Sequence, residues 1–169
     1  LNKPRGYVSS CRHRGEPVVT DLIDLPERLF PVGRLDKDST GLLLLTTDGR
    51  IHHRLSHPSF DHEKEYDVIV ERPIDDKALE RMQEGLPLSG VMTRPARVTR
   101  ISNRRFRIVL KEGKNRQIRR MVQRVGNRVA RLHRTRVANL SLGDLGRGAW
   151  RHLREDERRL LLERLGLSR

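Results

Sequence analysis

The run Leu42-Leu43-Leu44-Leu45-Thr46-Thr47 constrains the fold of this chain more than any other stretch. Six uncharged residues, opened by Gly41 and closed by Asp48-Gly49, have the length of a strand and no polar face. They predict a strand covered on both sides. Such a strand needs neighbours in a sheet and helices above it, and signals of both kinds alternate along the chain. Asp48 is placed to cap a short helix carrying Ile51 and Leu55, four apart, which Pro58 ends. Residues 66–71 alternate, with Tyr66, Val68 and Val70 on one face and Asp67, Ile69 and Glu71 on the other. Asp75 opens and Gly85 stops a helix over residues 75–84. Residues 96–101 and 106–111 read as further strands. Residues 115–125 read as a helix with Ile118, Met121, Val122 and Val125 on one side and Gly126 at its end. Strands mixed with interspersed helices predict an α+β domain. With no internal repeat, low-complexity tract or Pro/Ser-rich linker, the 169 residues are expected to bury one ordinary core, divided into two lobes with a boundary near residue 62.

The charge is distributed unevenly. Lysine and arginine number 36 against 22 acids, a net charge of +14, and sixteen of those cations fall within residues 94–136 beside a single acid, Glu112. That segment therefore carries +15 and the remainder −1. Like charges in one solvated block repel one another, and binding a polyanion with release of its counterions offsets the repulsion. Nucleic acid is favoured over an acidic membrane, because neither a lipidation signal nor a basic amphipathic membrane helix accompanies the block. Arginine outnumbers lysine by 30 to 6, which suits forked phosphate contacts and stacking on bases. One cysteine excludes an internal disulfide, no run approaches the length of a spanning helix, and nothing resembles a signal peptide, so the cytoplasm is the expected compartment.

Ahead of the apolar run, Phe30-Pro31-Val32-Gly33-Arg34-Leu35-Asp36-Lys37-Asp38-Ser39-Thr40-Gly41 holds Asp36 in a glycine-bounded loop between Arg34 and Lys37. Cations on either side favour the ionised carboxylate as a nucleophile or base, although merely solvated loops often have the same composition. On a helical wheel of residues 115–125, Arg119 falls on the border of the apolar stripe, where an arginine either snorkels over the core edge or points into a cleft. Arg116, Arg120 and Arg124 lie toward solvent. His52, His53, His57 and His62 lie close in sequence without acids or cysteines in metal-ligand spacing, so no metal is expected. Cys11, near His13, reads as a packed thiol. No phosphate-loop or dinucleotide fingerprint occurs.

Gly33-Arg34-Leu35-Asp36, with Ser39-Thr40-Gly41-Leu42-Leu43 and Thr47-Asp48-Gly49 behind it, resembles the catalytic motif of the RsuA-type family of RNA pseudouridine synthases. Three further segments agree in order and spacing. Leu1-Asn2-Lys3-Pro4-Arg5-Gly6 resembles the family's opening strand and turn, His62-Glu63-Lys64-Glu65-Tyr66 its Lys-x-Tyr motif, and Glu112-Gly113-Lys114-Asn115-Arg116-Gln117-Ile118-Arg119-Arg120-Met121 its third motif. The wording of residues 61–66 and 115–121 is most similar to the RluF-type branch, which acts on large-subunit ribosomal RNA. The resemblance implies the pseudouridine synthase catalytic fold: a mixed, mostly antiparallel sheet flanked by helices, with a central active-site cleft. It also implies an S4-type RNA-binding domain upstream of Leu1, outside this chain.

The activity implied is isomerisation of a specific uridine to pseudouridine in a structured ribosomal RNA loop, with the target base flipped out of its stack. The reaction gains and loses no electrons or groups and calls for no cofactor. By resemblance Asp36 carries the chemistry, Arg119 pairs with it, and Tyr66 stacks on or hydrogen-bonds the base. Arg34, Lys37, Lys64, Lys114, Asn115, Arg116, Gln117 and Arg120 match positions that hold the loop or the RNA. A monomer is expected. Small-subunit ribosomal RNA or transfer RNA is the alternative target, and an RNA-binding or ribosome-assembly protein that kept the fold without the reaction is the alternative of another class.

Overall fold

The computed structural model describes residues 1–12 and 14–168. In chain order its elements are β1 (Asn2–Lys3), β2 (Phe30–Val32), β3 (Thr40–Leu42), β4 (Leu44–Thr46), α1 (Gly49–Ser56), β5 (Lys64–Val70), α2 (Asp76–Glu84), β6 (Pro87–Leu88), β7 (Val91–Met92) and β8 (Arg97–Ser102). There follow β9 (Arg105–Leu110), α3 (Gln117–Arg124), β10 (Val129–Val137), β11 (Leu140–Ser141) and α4 (Glu155–Arg164). The chain forms two compact units, Leu1–Phe60 with Thr135–Arg169, and Asp61–Arg134, each with its own apolar core. It leaves the first unit at residue 60 and returns to it within β10. The sequence alone assigns no element beyond Gly126, where arginines at 131, 134 and 136 obscure the pattern of β10. Among the described residues no helix is long and apolar enough to cross a membrane.

In the first unit the apolar run makes two strands where the sequence predicts one. Thr40–Leu42 pairs antiparallel with β1, and Leu44–Thr46 pairs antiparallel with β2. Leu43 lies at the change of partner, fully buried, its N–H donating to the Leu1 carbonyl at 2.9 Å. A run apolar at every position has no face that prefers solvent, so nothing in its pattern keeps it in one register or one sheet. Leu42 and Leu44 join Val32, Leu55, Val137, Leu140, Leu142, Leu161 and Leu165 in the core of this unit. Asp48 caps α1 as its position predicts, accepting from the Arg50 N–H at 2.8 Å, and the helix gives way at Pro58 to a short 3-10 turn.

In the second unit β5 pairs antiparallel with β9, and β9 with β8. Tyr66 stands opposite Ile108 and Val68 opposite Phe106, which sets these side chains on one face. There Val68, Val70, Phe106 and Ile108 pack with Leu79 and Met82 of α2 and Ile118, Met121 and Val122 of α3. Val68, Met82, Phe106, Ile108, Met121 and Val122 are each wholly buried, and burial of side chains of this size contributes about 1.5–3 kcal/mol apiece. Asp75 caps α2 through the Ala78 N–H at 2.7 Å, and Gly85 ends it at φ 117°. The third helix is shorter than its apolar period predicts. Arg116 takes a left-handed backbone at φ 47°, so residues 115 and 116 stay in the preceding turn.

Candidate active site

Gly33 at φ 69° and Gly41 at φ 108° bracket the Asp36 loop in backbone that residues with side chains rarely adopt. The loop between them is tied down at several points. Ser9 Oγ donates to the Leu35 carbonyl at 2.7 Å and accepts from the Leu35 N–H at 3.0 Å. The Gly6 N–H donates to the Lys37 carbonyl at 2.8 Å, and the Ser39 N–H closes a turn on the Asp36 carbonyl at 3.0 Å. Beneath the loop lies Lys3, opposite Gly41 in the β1–β3 ladder and wholly buried. A buried ammonium requires partners for its protons and compensation for its charge. Lys3 Nζ donates to the carbonyls of Pro4 at 3.0 Å, Lys37 at 3.3 Å and Ser39 at 2.8 Å. Burial lowers its pKa from 10.5 to about 8, opposed by the attraction of Asp38 and then Asp36, so it remains charged at neutral pH.

Lys3 is thus a buried cation beneath the Asp36 loop, attracted by Asp38 and then by Asp36. The sequence draws attention instead to Arg34, which is exposed, and Lys37, whose Nζ turns to Glu16 at 2.5 Å. The only sequence signal for Lys3 is its place in the opening motif. Asp36 itself is half-buried. A cavity of about 670 Å³ in the same unit is lined by leucines including Leu42, Leu44, Leu55 and Leu161, together with Trp150, and no residue of the Asp36 loop lines it. Glu27, Asp48, Arg151, His152, Glu157 and Arg158 also line it, with Asp48 engaged as the α1 cap and Glu157 paired with Arg151.

Tyr66 and Arg119 belong to the second unit. Tyr66, half-buried, packs against the core beside Val68. Lys64 projects from the same face of β5 two residues earlier, and its pKa is lowered by burial and then by Arg134. Arg134, one of the sixteen cations of the basic block, is only 3% exposed. Arg119 is half-buried on α3, between the buried Ile118 and Met121, which agrees with its border position on the helical wheel.

The lone acid of the basic block organises the turn before α3. Glu112 Oε1 accepts from the Arg94 N–H at 2.9 Å and from Gln117 Nε2 at 2.6 Å, while Oε2 pairs with Lys114 Nζ at 2.5 Å. Desolvation pushes the Glu112 pKa up, but the bonds from Lys114, the Arg94 N–H and Gln117 outweigh it and hold the carboxyl below its ordinary value. Gln117 is 4% exposed and its side chain also accepts from the Lys114 N–H at 3.0 Å, so it braces the turn from within. Arg120, expected toward solvent, is half-buried and donates Nη2 to Ser89 Oγ at 2.5 Å. Asn115 and Arg116 are exposed.

The basic block is not one uniform positive surface either. Asp61, Glu63, Glu65 and Asp67 recur every second residue and pair with Arg94, Arg97, Arg107 and Arg105, and Asp76 pairs with Arg100. Folding brings acids from outside the block alongside cations within it. Elsewhere, Cys11 donates Sγ–H to the Leu29 carbonyl at 3.3 Å, whereas His13 lies outside the described residues. Among the described residues no group of three or more His, Cys, Asp or Glu could hold a metal ion.

The profile of the RNA pseudouridylate synthase family matches residues 1–124. The dual-specificity RNA pseudouridine synthase RluF of Salmonella typhi is 43% identical over 157 residues, covering 93% of this chain and 54% of its own. The ribosomal small subunit pseudouridine synthase A of Yersinia pestis is 40% identical over 162 residues, covering 93% of this chain and 69% of its own. A crystal structure of a pseudouridylate synthase superposes with a TM-score of 0.89 at 34% identity, over 98% of this chain and 71% of that one. The chain spans about half the length of the RluF relatives it matches.

Proposed function

We propose that this chain, which belongs to the RNA pseudouridylate synthase family, isomerises a specific uridine of ribosomal RNA to pseudouridine with Asp36 as the catalytic carboxylate. The reaction breaks the bond between the sugar and a ring nitrogen, turns the detached uracil, and rejoins it to the sugar through carbon 5, which loses a proton while the freed nitrogen gains one. Atoms and electrons balance without a cofactor. The observation that carries the reading is the Asp36 loop, bracketed by Gly33 and Gly41 and fastened by Ser9 and the buried Lys3. A carboxylate on a loop fixed at this many points meets its substrate without reorganising, the condition for effective acid, base or nucleophilic catalysis.

In this reading Arg119 pairs with Asp36, and Tyr66 lies against the target base. The base leaves its stack to reach the carboxylate. Arg34, Lys37, Lys64, Lys114, Asn115, Arg116 and Arg120 hold the loop or the RNA, in a cytoplasmic enzyme acting as a monomer. We take the target to lie in large-subunit ribosomal RNA, on the wording of residues 61–66 and 115–121. Asp36→Asn tests the chemistry, because the amide keeps the shape and removes the charge and basicity. Release of label from carbon 5 of uridine should cease while RNA affinity stays within a few-fold of the parent; turnover near the parental rate would defeat the assignment. Mapping pseudouridines in ribosomal RNA from cells lacking the protein tests the target.

A further inference from the structure

The second unit presents an apolar tip that its own core leaves uncovered. Strands β6 and β7 form a hairpin pairing Pro87 with Met92 and Leu88 with Val91, turning at Ser89 and Gly90 with φ 51° and 78°. Two successive positive φ values are the mark of the tight primed turn that suits a twisted hairpin. Leu88 is buried, but Val91 and Met92 are 56% and 59% exposed, more than any other large apolar side chain among the described residues. A single exposed apolar side chain needs no explanation. Two adjacent ones on a projecting turn, held as firmly as this one, do.

The holding is specific. At the base of the hairpin the Thr93 N–H donates to the Leu86 carbonyl at 2.9 Å, and the Leu86 N–H donates to Thr93 Oγ1 at 2.9 Å. A Cβ on Gly85 would meet the Thr93 carbonyl oxygen at 2.5 Å, so the base is closed backbone against backbone. At the tip, Arg120 of α3 donates to Ser89 Oγ at 2.5 Å and reaches the Asn115 carbonyl at 3.5 Å, which joins the turn to the segment ahead of α3. The surroundings are basic. Arg120 meets the turn itself, and Arg116 and Arg124 are exposed at the two ends of α3. A rigid apolar knob among arginines is complementary to a polyanion that offers flat apolar faces between its charges, and nucleic acid has that chemistry.

We propose that the β6–β7 hairpin is an RNA contact in its own right, an apolar wedge with Val91 on one face and Met92 on the other that enters between unstacked bases while the arginines of α3 engage the neighbouring phosphates. The assignment rests on the proposed RNA substrate and adds a stacking contact that reads RNA structure instead of charge. The double variant Val91→Ser/Met92→Ser tests it in the intact protein. Both side chains are exposed, so the fold should survive, which thermal melting checks.

The probe is ribosomal RNA transcribed in vitro and therefore unmodified. Affinity for it should fall about tenfold while the slope of log affinity against log salt stays that of the parent, because an apolar contact releases no counterions. A photoreactive residue at position 92 should form adducts with RNA bases. If the parent binds and isomerises this RNA and the double variant binds within twofold of it, the hairpin contact is overturned and the enzymatic reading stands. If the parent neither binds nor isomerises the RNA, both readings fall together. Adducts at position 92 joining two copies of the chain, with RNA affinity unchanged, would make the tip an interface between copies and likewise overturn the proposal.

Discussion

Lys3→Met removes the ammonium beneath the Asp36 loop and keeps most of the side-chain volume. Three carbonyls, of Pro4, Lys37 and Ser39, lose their charged donor. At about 1.5 kcal/mol for each bond from a charged group, the loss is roughly 4–5 kcal/mol. Against it stands relief of a buried charge. The fall in pKa from 10.5 to about 8 corresponds to at most about 3 kcal/mol, and to about 2 kcal/mol after allowance for solvent around the loop. The expected net cost is about 2–3 kcal/mol, a fall in Tm of roughly 5–10 °C for a chain of this size.

Trp150, the single tryptophan, belongs to the same unit, where the neighbouring Ala149 carbonyl accepts from the Asn2 N–H at 2.9 Å. Urea unfolding followed by its fluorescence should show the loss, and turnover should fall with it because Asp36 is no longer fixed. The pH dependence has a definite sign. The unfolded chain binds more protons at Lys3 between pH 8 and 10.5, so the cost of burying the charge is full below about pH 8 and fades as pH rises to 10.5. The parent should therefore gain stability relative to the variant across that interval. A variant within about 0.5 kcal/mol of the parent, with parental turnover, would refute the view that Lys3 holds the loop.

Other perturbations follow from the same geometry. Gly85→Ala sets a Cβ 2.5 Å from the Thr93 carbonyl oxygen at φ 117° and should cost at least about 2 kcal/mol by thermal unfolding. Gly90→Ala, at φ 78° with nothing within 4 Å of its Cβ, should cost about 1 kcal/mol. The hydrogen bonds and charge of Arg151 hold the Glu157 carboxyl at about 2, aided by the Arg154 N–H, so its contribution is present above pH 4.5 and is lost as pH falls toward 2. Glu157→Gln should flatten the acid limb of the stability curve over that interval, at a cost of about 1–2 kcal/mol at pH 7. Arg124→Gln, at an exposed position on α3, should reduce the salt slope of RNA binding by about one unit, whereas Arg105→Gln, already paired with Asp67, should change it less. Equal slopes for the two would mean that the cross-strand acids do not screen their arginines.

Features written in neighbouring residues were legible without a structure. Asp48 and Asp75 cap the helices they precede because a cap needs only a side-chain oxygen and an N–H two or three residues on. Tyr66, Val68 and Val70 share the packed face of β5 because a strand alternates and only one of its faces was apolar. Arg119 sits at the border of its stripe for the equivalent reason in a helix. The family motifs imply a catalytic role for Asp36 by resemblance, and the bonds that fix its loop are invisible in their spacing.

What the tertiary structure decided involves residues far apart in the chain. The leucine run broke at Leu43 because β1 and β2 offered partners to its two halves, and no periodicity chose between them. The basic block lost its uniformity because pairing of β5 with β9 set Asp67 beside Arg105, 38 residues away, and Arg97 on β8, beyond β9, reaches Glu63, 34 away. Gln117 turned inward because Glu112 and the Lys114 N–H gave its amide buried partners. Lys3, which composition would leave in solvent, was buried because carbonyls of residues 4, 37 and 39 converge on its ammonium. Sequence specifies what a residue can donate, accept or bury, and short-range periodicity carries that through a single helix or strand. Which buried charge meets which partner depends on a convergence of distant backbone that forms only when the chain has folded.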